Sequence, residues 1–390
     1  MKILIASDLH WPTINGVATF SRNLAKGLAD RGHEVIVIAP SQSGKAHIEQ
    51  DDNHTVYRTA SVPFPFYQNF RISITPGREV KKIIEEFKPE VIHIQMLLGI
   101  GQAVMKYGNK LGIPIVSTNH AMPENLMDNL KLLAPLARPI NYMLEVYGTR
   151  FHSKADYITL PTQSAIDMFN VTDRVSVPMS AVSNGIDLSR FKPGHAHHKT
   201  YDKFKIPRDH QIITYIGRVD AEKHLYVLIE AFKGIRESGN QAHLLIVGDG
   251  TDRQNLENLA DKYNLREFIT FTGRVTDEDL VDLHHVGTLY AMPSPAELQS
   301  IATLEALASG KPVVAVDAGA LGELCQNGIN GFLIKKDDDK AMADSILTIL
   351  NDTELRERFI HNSLEIANHH NINTTLEKFE KIYDSLIHKA

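Results

Sequence analysis

Leu289-Tyr290-Ala291-Met292-Pro293-Ser294-Pro295-Ala296-Glu297-Leu298-Gln299-Ser300-Ile301-Ala302-Thr303-Leu304-Glu305-Ala306-Leu307-Ala308-Ser309-Gly310-Lys311-Pro312-Val313-Val314-Ala315-Val316 is the most informative stretch of this chain. It opens with an apolar run, passes through two prolines, and enters a segment in which Ile301, Leu304, Glu305 and Ala308 share one helical face. Gly310 stops that helix, and a second apolar run, Val313–Val316, follows at once. Neither run alternates polar with apolar residues, so each reads as a strand covered on both faces. Strand, helix and strand in that order predict a parallel sheet.

The same rhythm extends outward in both directions. Apolar runs at Ile212–Ile216, His243–Val247 and Ile269–Phe271 precede the quoted stretch. Earlier, Lys2–Ala6, Glu34–Ala39, Val91–Gln95, Pro114–Thr118 and Tyr157–Leu160 form a second series. Between its first two members Phe20, Leu24 and Leu28 mark a helix that Gly32 closes. The α/β fold is therefore expected as two doubly wound domains, residues 1–185 and 186–370, joined through the polar stretch from Asn184 to Lys199. Leu376, Phe379, Ile382, Tyr383 and Leu386 predict a final helix over 371–390, packing back on the first domain.

The chain has 390 residues, 43% of them hydrophobic, with 41 Lys and Arg against 47 Asp and Glu, which excludes disorder and an overall basic footprint for nucleic acid. Residues 1–185 carry net +2 and the rest net -8, a mild asymmetry that fits a first domain near an anionic surface. Cys325 is the sole thiol, so neither an internal disulfide nor a Cys-rich zinc site is possible. No run reaches a membrane span and no secretory leader is visible, so a cytoplasmic protein is expected, with any membrane contact peripheral on the inner face.

Chemistry is expected at the carboxyl edges of the strands. The turn before Ile301 presents free helical amides to an anion. Glu297 stands in that turn, and Glu305 lies eight residues on among apolar neighbours, where a buried carboxylate needs donors such as a sugar diol. Gly217-Arg218 follows another strand, and Lys223 lies five residues beyond Arg218, so both cations can meet a diphosphate. As unpaired surface cations they would contribute little to stability. Gly16 opens the first helix and allows close approach of a ligand to the main chain. His120 ends the run Pro114–Thr118 at a strand's carboxyl edge.

These residues together, Glu297-x7-Glu305 followed by Ala-Leu-Ala-Ser-Gly-Lys-Pro-Val-Val above all, resemble the donor-site signature of the retaining GT-B glycosyltransferases of family 4. The resemblance covers almost the whole chain. It implies two Rossmann-like domains facing across a cleft, the first binding the acceptor and the second a nucleotide sugar. It implies a UDP- or GDP-hexose as co-substrate, with no metal and no further cofactor. In the family the counterparts of Arg218 and Lys223 stabilise the departing diphosphate, Glu297 holds sugar hydroxyls, Glu305 the ribose, and His120 the sugar from the other domain. Gly16, Gly217, Gln299, Ser300 and Ile301 match donor-site positions, and Gly273-Arg274-Val275 matches a turn that reads the base. Gly319 to Glu323 resembles a further family element, while Asp337-Asp338-Asp339 reads as a helix-start acidic cluster rather than a metal-binding DxD.

The form Glu297-Leu298-Gln299-Ser300 is more similar to transferases that glycosylate lipids such as diacylglycerol than to the commoner pattern with Gly-Phe-Gly. Residues 125–154 read as a largely helical basic amphipathic segment, with Lys131, Arg138, Arg150 and Lys154 its cations, and aromatics cluster between Val62 and Arg71. A lipid acceptor at a membrane surface is therefore expected. The alternatives are a soluble sugar or metabolite as acceptor, or a catalytically silent nucleotide-sugar scaffold, against which Arg218, Lys223, Glu297 and Glu305 together argue.

Overall fold

A computed structural model describes residues 1–13, 15–64, 70–120, 137–169 and 175–389. The chain divides into two units. The first takes the described residues up to His120, those from 137 to Asn184, and those from Asn373 onward, while Gly185–Ile372 belongs to the second.

In the first unit the elements run β1 (Lys2–Ala6), α1 (Gly16–Asp30), β2 (Glu34–Pro40), β3 (His47–Asp51), β4 (His54–Thr59), β5 (Val62–Pro63), β6 (Arg71–Ile72), α2 (Gly77–Phe87), β7 (Val91–Ile94), α3 (Gly99–Leu111), β8 (Ile115–Thr118), α4 (Ala137–His152), β9 (Tyr157–Leu160), α5 (Gln163–Phe169) and β10 (Met179–Ala181). Eight strands form one sheet in the order β10-β9-β8-β7-β1-β2-β4-β3, parallel except for β3 against β4. Ile3, Leu4, Ile5 and Ala6 are fully buried at its centre, as uninterrupted apolar runs require. Asn15 caps α1 by accepting from the Ala18 amide at 2.8 Å, and Phe20, Leu24 and Leu28 bury against the sheet. The strand order reverses between β1 and β7, so the loops leaving those two strands diverge at their carboxyl ends.

The second unit runs α6 (His198–Phe204), β11 (Ile212–Ile216), α7 (Leu225–Glu237), β12 (His243–Val247), α8 (Arg253–Lys262), β13 (Ile269–Phe271), α9 (Asp277–Val286), β14 (Leu289–Met292), α10 (Ile301–Ala308), β15 (Val313–Val316), α11 (Leu321–Leu324), β16 (Gly331–Ile334), α12 (Asp339–Asn351) and α13 (Thr353–Asn368). Its six parallel strands lie in the order β13-β12-β11-β14-β15-β16. Here the reversal falls between β11 and β14, the strands that lead into Arg218 and Glu297.

Helix α14 (Ile372–Ile387) returns to the first unit. Its Leu376, Phe379 and Tyr383 are buried, each side chain contributing roughly 1.5–3 kcal/mol. Leu376 lies over Gly27 of α1, where an added Cβ would stand 2.6 Å from it. The Tyr383 hydroxyl meets His93 Nδ1 of β7 at 2.6 Å, and Arg31 clasps both oxygens of Glu380 at 2.9 Å.

Of the amphipathic segment expected over 125–154, residues 125–136 lie outside the described residues, and α4 accounts for Ala137–His152. In the aromatic stretch, residues 65–69 lie outside as well. Phe64 and Phe70 pack edge to face at 5.4 Å, and Phe70 is buried.

Candidate active site

The loop leaving β11 is held from three sides by its own unit. Gly217 donates its amide to Val247 O at 3.0 Å, and Val219 donates to Asp249 O at 3.1 Å. The buried Tyr215 hydroxyl donates to Arg218 O at 2.7 Å, and Tyr290 donates to Ile216 O at 3.0 Å. Gly248 and Gly250 leave room for this: an added Cβ would stand 1.9 Å from Gly217 O and 2.3 Å from Val219 O respectively. The backbone around Arg218 is thereby fixed before any ligand arrives, which removes an ordering cost from binding.

The two cations then share one acid. Arg218 pairs with Asp220 and Glu222, while Lys223 Nζ lies 3.5 Å from Glu222 Oε1 and 2.7 Å from Glu297 Oε1. Glu222 is 1% exposed, Lys223 11% and Glu297 13% at the side chain. These are not loose surface ions. The expectation of unpaired cations is corrected: their charges sit largely out of water, each on a carboxylate partner, which raises the cost of deleting one.

Glu297 itself is placed by a neighbouring turn. The Ala320 amide donates to Glu297 O at 2.8 Å. Gly319 has φ +57, and an added Cβ would stand 2.5 Å from Glu297 O. Gly319→Ala should therefore push the Glu297 loop aside, lowering turnover roughly tenfold and stability by about 1–3 kcal/mol. Gly310→Ala is the control, because Gly310 has φ +71 but its nearest neighbour would be an Ile360 methyl at 3.4 Å. Steady-state rates and melts of both variants check this, and equal loss of rate in both would sink the positional argument.

Ser300 caps α10, its hydroxyl accepting from the Thr303 amide at 3.2 Å, and Ile301 begins the helix. Gln299 and Ser300 are buried beneath the Glu297 turn. Glu305 is buried, with Oε2 3.2 Å from His284 Nε2 on α9. Arg274 is exposed and Val275 half-buried in the turn after β13, and Gly273 O anchors that turn by accepting from the Gly248 amide at 3.1 Å. In the acidic triplet Asp338 caps α12 through the Ala341 amide at 2.8 Å, and Asp337 accepts from the Tyr226 hydroxyl at 2.8 Å and faces His224 Nδ1 at 2.7 Å.

Gly16 and His120 belong to the first unit. Gly16 is the first residue of α1. His120 lies two residues past β8, its Nε2–H donating to Gln95 Oε1 at 2.8 Å and its ring 4.9 Å from that of Phe20. Burial, and then the charge of His152, pushes its pKa down to about 3, so the ring is neutral at physiological pH. Sequence reasoning missed His284 and Gln95, whose contacts appear only once elements distant in sequence become neighbours, and it missed the local acids Asp220 and Glu222. For Asp220 and Glu222 a signal existed: two acids between Arg218 and Lys223 in one short turn.

Two family models match the chain. Residues 14–190 match "Glycosyltransferase Family 4" and residues 198–365 match "Glycosyl transferases group 1". The chain is 23% identical over 347 residues to alpha-monoglucosyldiacylglycerol synthase of Streptococcus pneumoniae, covering 88% of this chain and 77% of that one. The enzyme of the same name from Acholeplasma laidlawii is 26% identical over 345 residues, covering 87% and 86%. Among solved structures, Anabaena HepE in complex with UDP-glucose superposes with a TM-score of 0.76 at 21% identity, covering 99% of this chain and 100% of that one. The chain thus belongs to the group 1 glycosyltransferases, with a family 4 amino-terminal domain and the GT-B fold.

Proposed function

We propose that this glycosyltransferase moves a hexose from a nucleoside diphosphate sugar to a hydroxyl of a membrane lipid such as diacylglycerol, with retention of anomeric configuration and no metal in the transfer step. The observation that carries it is the meeting of Arg218, Lys223 and Glu297 on loops from adjacent strands at the switch point of the second sheet. Arg218 and Lys223 supply fixed positive charge for the departing diphosphate, the largest electrostatic demand of the reaction. Glu297 is the acceptor of sugar hydroxyl bonds, Glu305 serves the ribose, and His120 serves the sugar from the first domain.

A lipid acceptor is supported by the two synthases named above and by α4. Met143 and Tyr147, 60% and 46% exposed, share one helical face with the exposed Arg150, and Tyr142, 61% exposed, lies at its edge. Large apolar side chains beside a cation suit an anionic bilayer interface. No helix among the described residues is long and apolar enough to cross a membrane, so the attachment proposed is peripheral.

A panel of uridine and guanosine sugar donors, assayed with diacylglycerol in anionic vesicles and with soluble acceptors, with and without chelator, tests this. Transfer to the lipid with retention, undiminished by chelator at 25 °C, is expected. An inverted product or a divalent ion required by the transfer step itself would overturn the mechanism. Faster transfer to a soluble acceptor, with no flotation on anionic vesicles at low salt, would overturn the lipid assignment alone.

A further inference from the structure

Beneath α1 the first unit gathers three metal-ligating side chains that the transfer chemistry does not use. Asp51 ends β3 and His54 begins β4, and the two are paired across the hairpin, so their side chains share a face. His10, in the loop after β1, reaches the same place. The ligand atoms of all three lie within 4.8 Å of one another.

The hydrogen-bond inventory makes this more than proximity. His10 Nδ1 is 3.2 Å from Ser21 Oγ, while its Nε2 has no partner among the described residues. Neither ring nitrogen of His54 has one. Both histidines are almost fully buried, and buried ring nitrogens without partners are uncommon because each carries its full desolvation cost. A metal-bound imidazole donates its second ring N–H to an oxygen acceptor, a place that Ser21 Oγ can fill for His10 Nδ1 while Nε2 faces the ion.

We propose that His10, His54 and Asp51 bind one divalent transition-metal ion, zinc by the two-imidazole, one-carboxylate character of the donors, and that the ion ties the β1–α1 loop to the β3–β4 hairpin. Arg22 donates to both Asp51 oxygens at 2.9 and 3.0 Å, so Asp51 would ligate through a remaining lone pair with Arg22 as its outer partner. Arg58 is the second nearby cation, held by Glu49 at 2.7 Å. Both oppose a dication, which sets the affinity below that of a four-ligand structural site. None of Arg218, Lys223 and Glu297 takes part, so the ion is to be read first in stability.

The test strips the full chain with EDTA and titrates it with zinc chloride alone, following bound metal by mass spectrometry and Tm by calorimetry. About one zinc per chain is expected, with Tm rising by about 5 °C once free zinc reaches about a hundred times Kd. His54→Phe keeps a ring of similar bulk without nitrogens. It should abolish both effects, while its metal-free Tm stays level or rises because two unpartnered nitrogens are gone. Cobalt substitution of the wild-type chain should give a visible ligand-field band, a reading that depends on no variant. The proposal is overturned by a wild-type chain that keeps no zinc, by a Tm indifferent to zinc, or by zinc binding that His54→Phe leaves intact.

Discussion

Replacing Lys223 by methionine is expected to lower kcat by two to three orders of magnitude, the usual cost of removing one preorganised donor to a developing anion, or about 3–4 kcal/mol. The ammonium sits 2.7 Å from Glu297 in a site where little water competes, so its charge acts at low effective dielectric. Folding also suffers, by about 1–3 kcal/mol, because Glu297 is left as a mostly buried carboxylate without its cation. The double variant with Glu297→Gln separates the two effects. Neutralising the orphaned acid should restore most of the lost Tm and none of the lost rate if Lys223 serves the departing diphosphate as proposed. Single-turnover rates and melts of both singles and the double decide it. A rate within tenfold of wild type for Lys223→Met, or a rate that recovers together with Tm in the double, would show Lys223 to be structural.

Mild acid is expected to unfold the first unit before the second. His120 and His152 are held neutral by burial, with pKa values pushed down to about 3 and about 4, and His93 is lowered for the same reason. Each has a partner for its neutral form: Gln95 for His120, Ser117 Oγ at 2.9 Å for His152, and Tyr383 for His93. A depressed folded pKa means that the unfolded chain binds the extra proton, so the stability these rings confer is complete above about 6.5 and is lost as pH falls toward 4. In the metal-free chain His10, also buried in this unit, has its pKa lowered to about 3 by burial, so at pH 5 the penalty is ~2 kcal/mol each for His120, His152 and His10, about 6 together. Asp8 acts in the opposite sense. Burial raises its pKa to about 6, so it regains about 1 kcal/mol between pH 7 and 5. The net loss of about 5 kcal/mol should lower the first unit's Tm by roughly 10–20 °C over that interval. The second unit holds His243 at about 4 and a lowered His285, a smaller set. Calorimetry at stepped pH should resolve the two transitions, and His152→Gln should flatten the dependence of the first. A first transition equally stable at pH 7 and pH 5 would refute this.

The parts legible in the sequence were those whose physics is local. β1, β9 and β11 to β15 fall on the residues expected because a strand covered on both faces is a continuous apolar run, and turn residues bound it. The β3–β4 hairpin was not legible. His47-Ile48-Glu49-Gln50-Asp51 is an exposed edge strand whose polar composition matches a loop, and only its pairing with β4 makes it a strand. The same holds for the site. Arg218, Lys223, Glu297 and Glu305 announce themselves because strand, turn and helix surround them in the right order. The His284 contact to Glu305, the Gln95 contact to His120 and the gathering of His10 with Asp51 and His54 join residues 21 or more apart in sequence, and no spacing rule reports them.

Because Tyr383 and Leu376 complete the core around β7 and α1, the ribosome must finish all of residues 185–372 before the first unit receives its last helix. At about 5–20 residues per second that is a wait of roughly 10–40 s. Throughout it the faces of Gly27 and His93 that α14 covers stand open on the nascent chain. The second unit has no such debt to later sequence and can close as soon as it emerges. Vectorial synthesis therefore inverts the usual order here: the half made first is the half completed last, and its exposed seam is where a chaperone has the longest opportunity to bind.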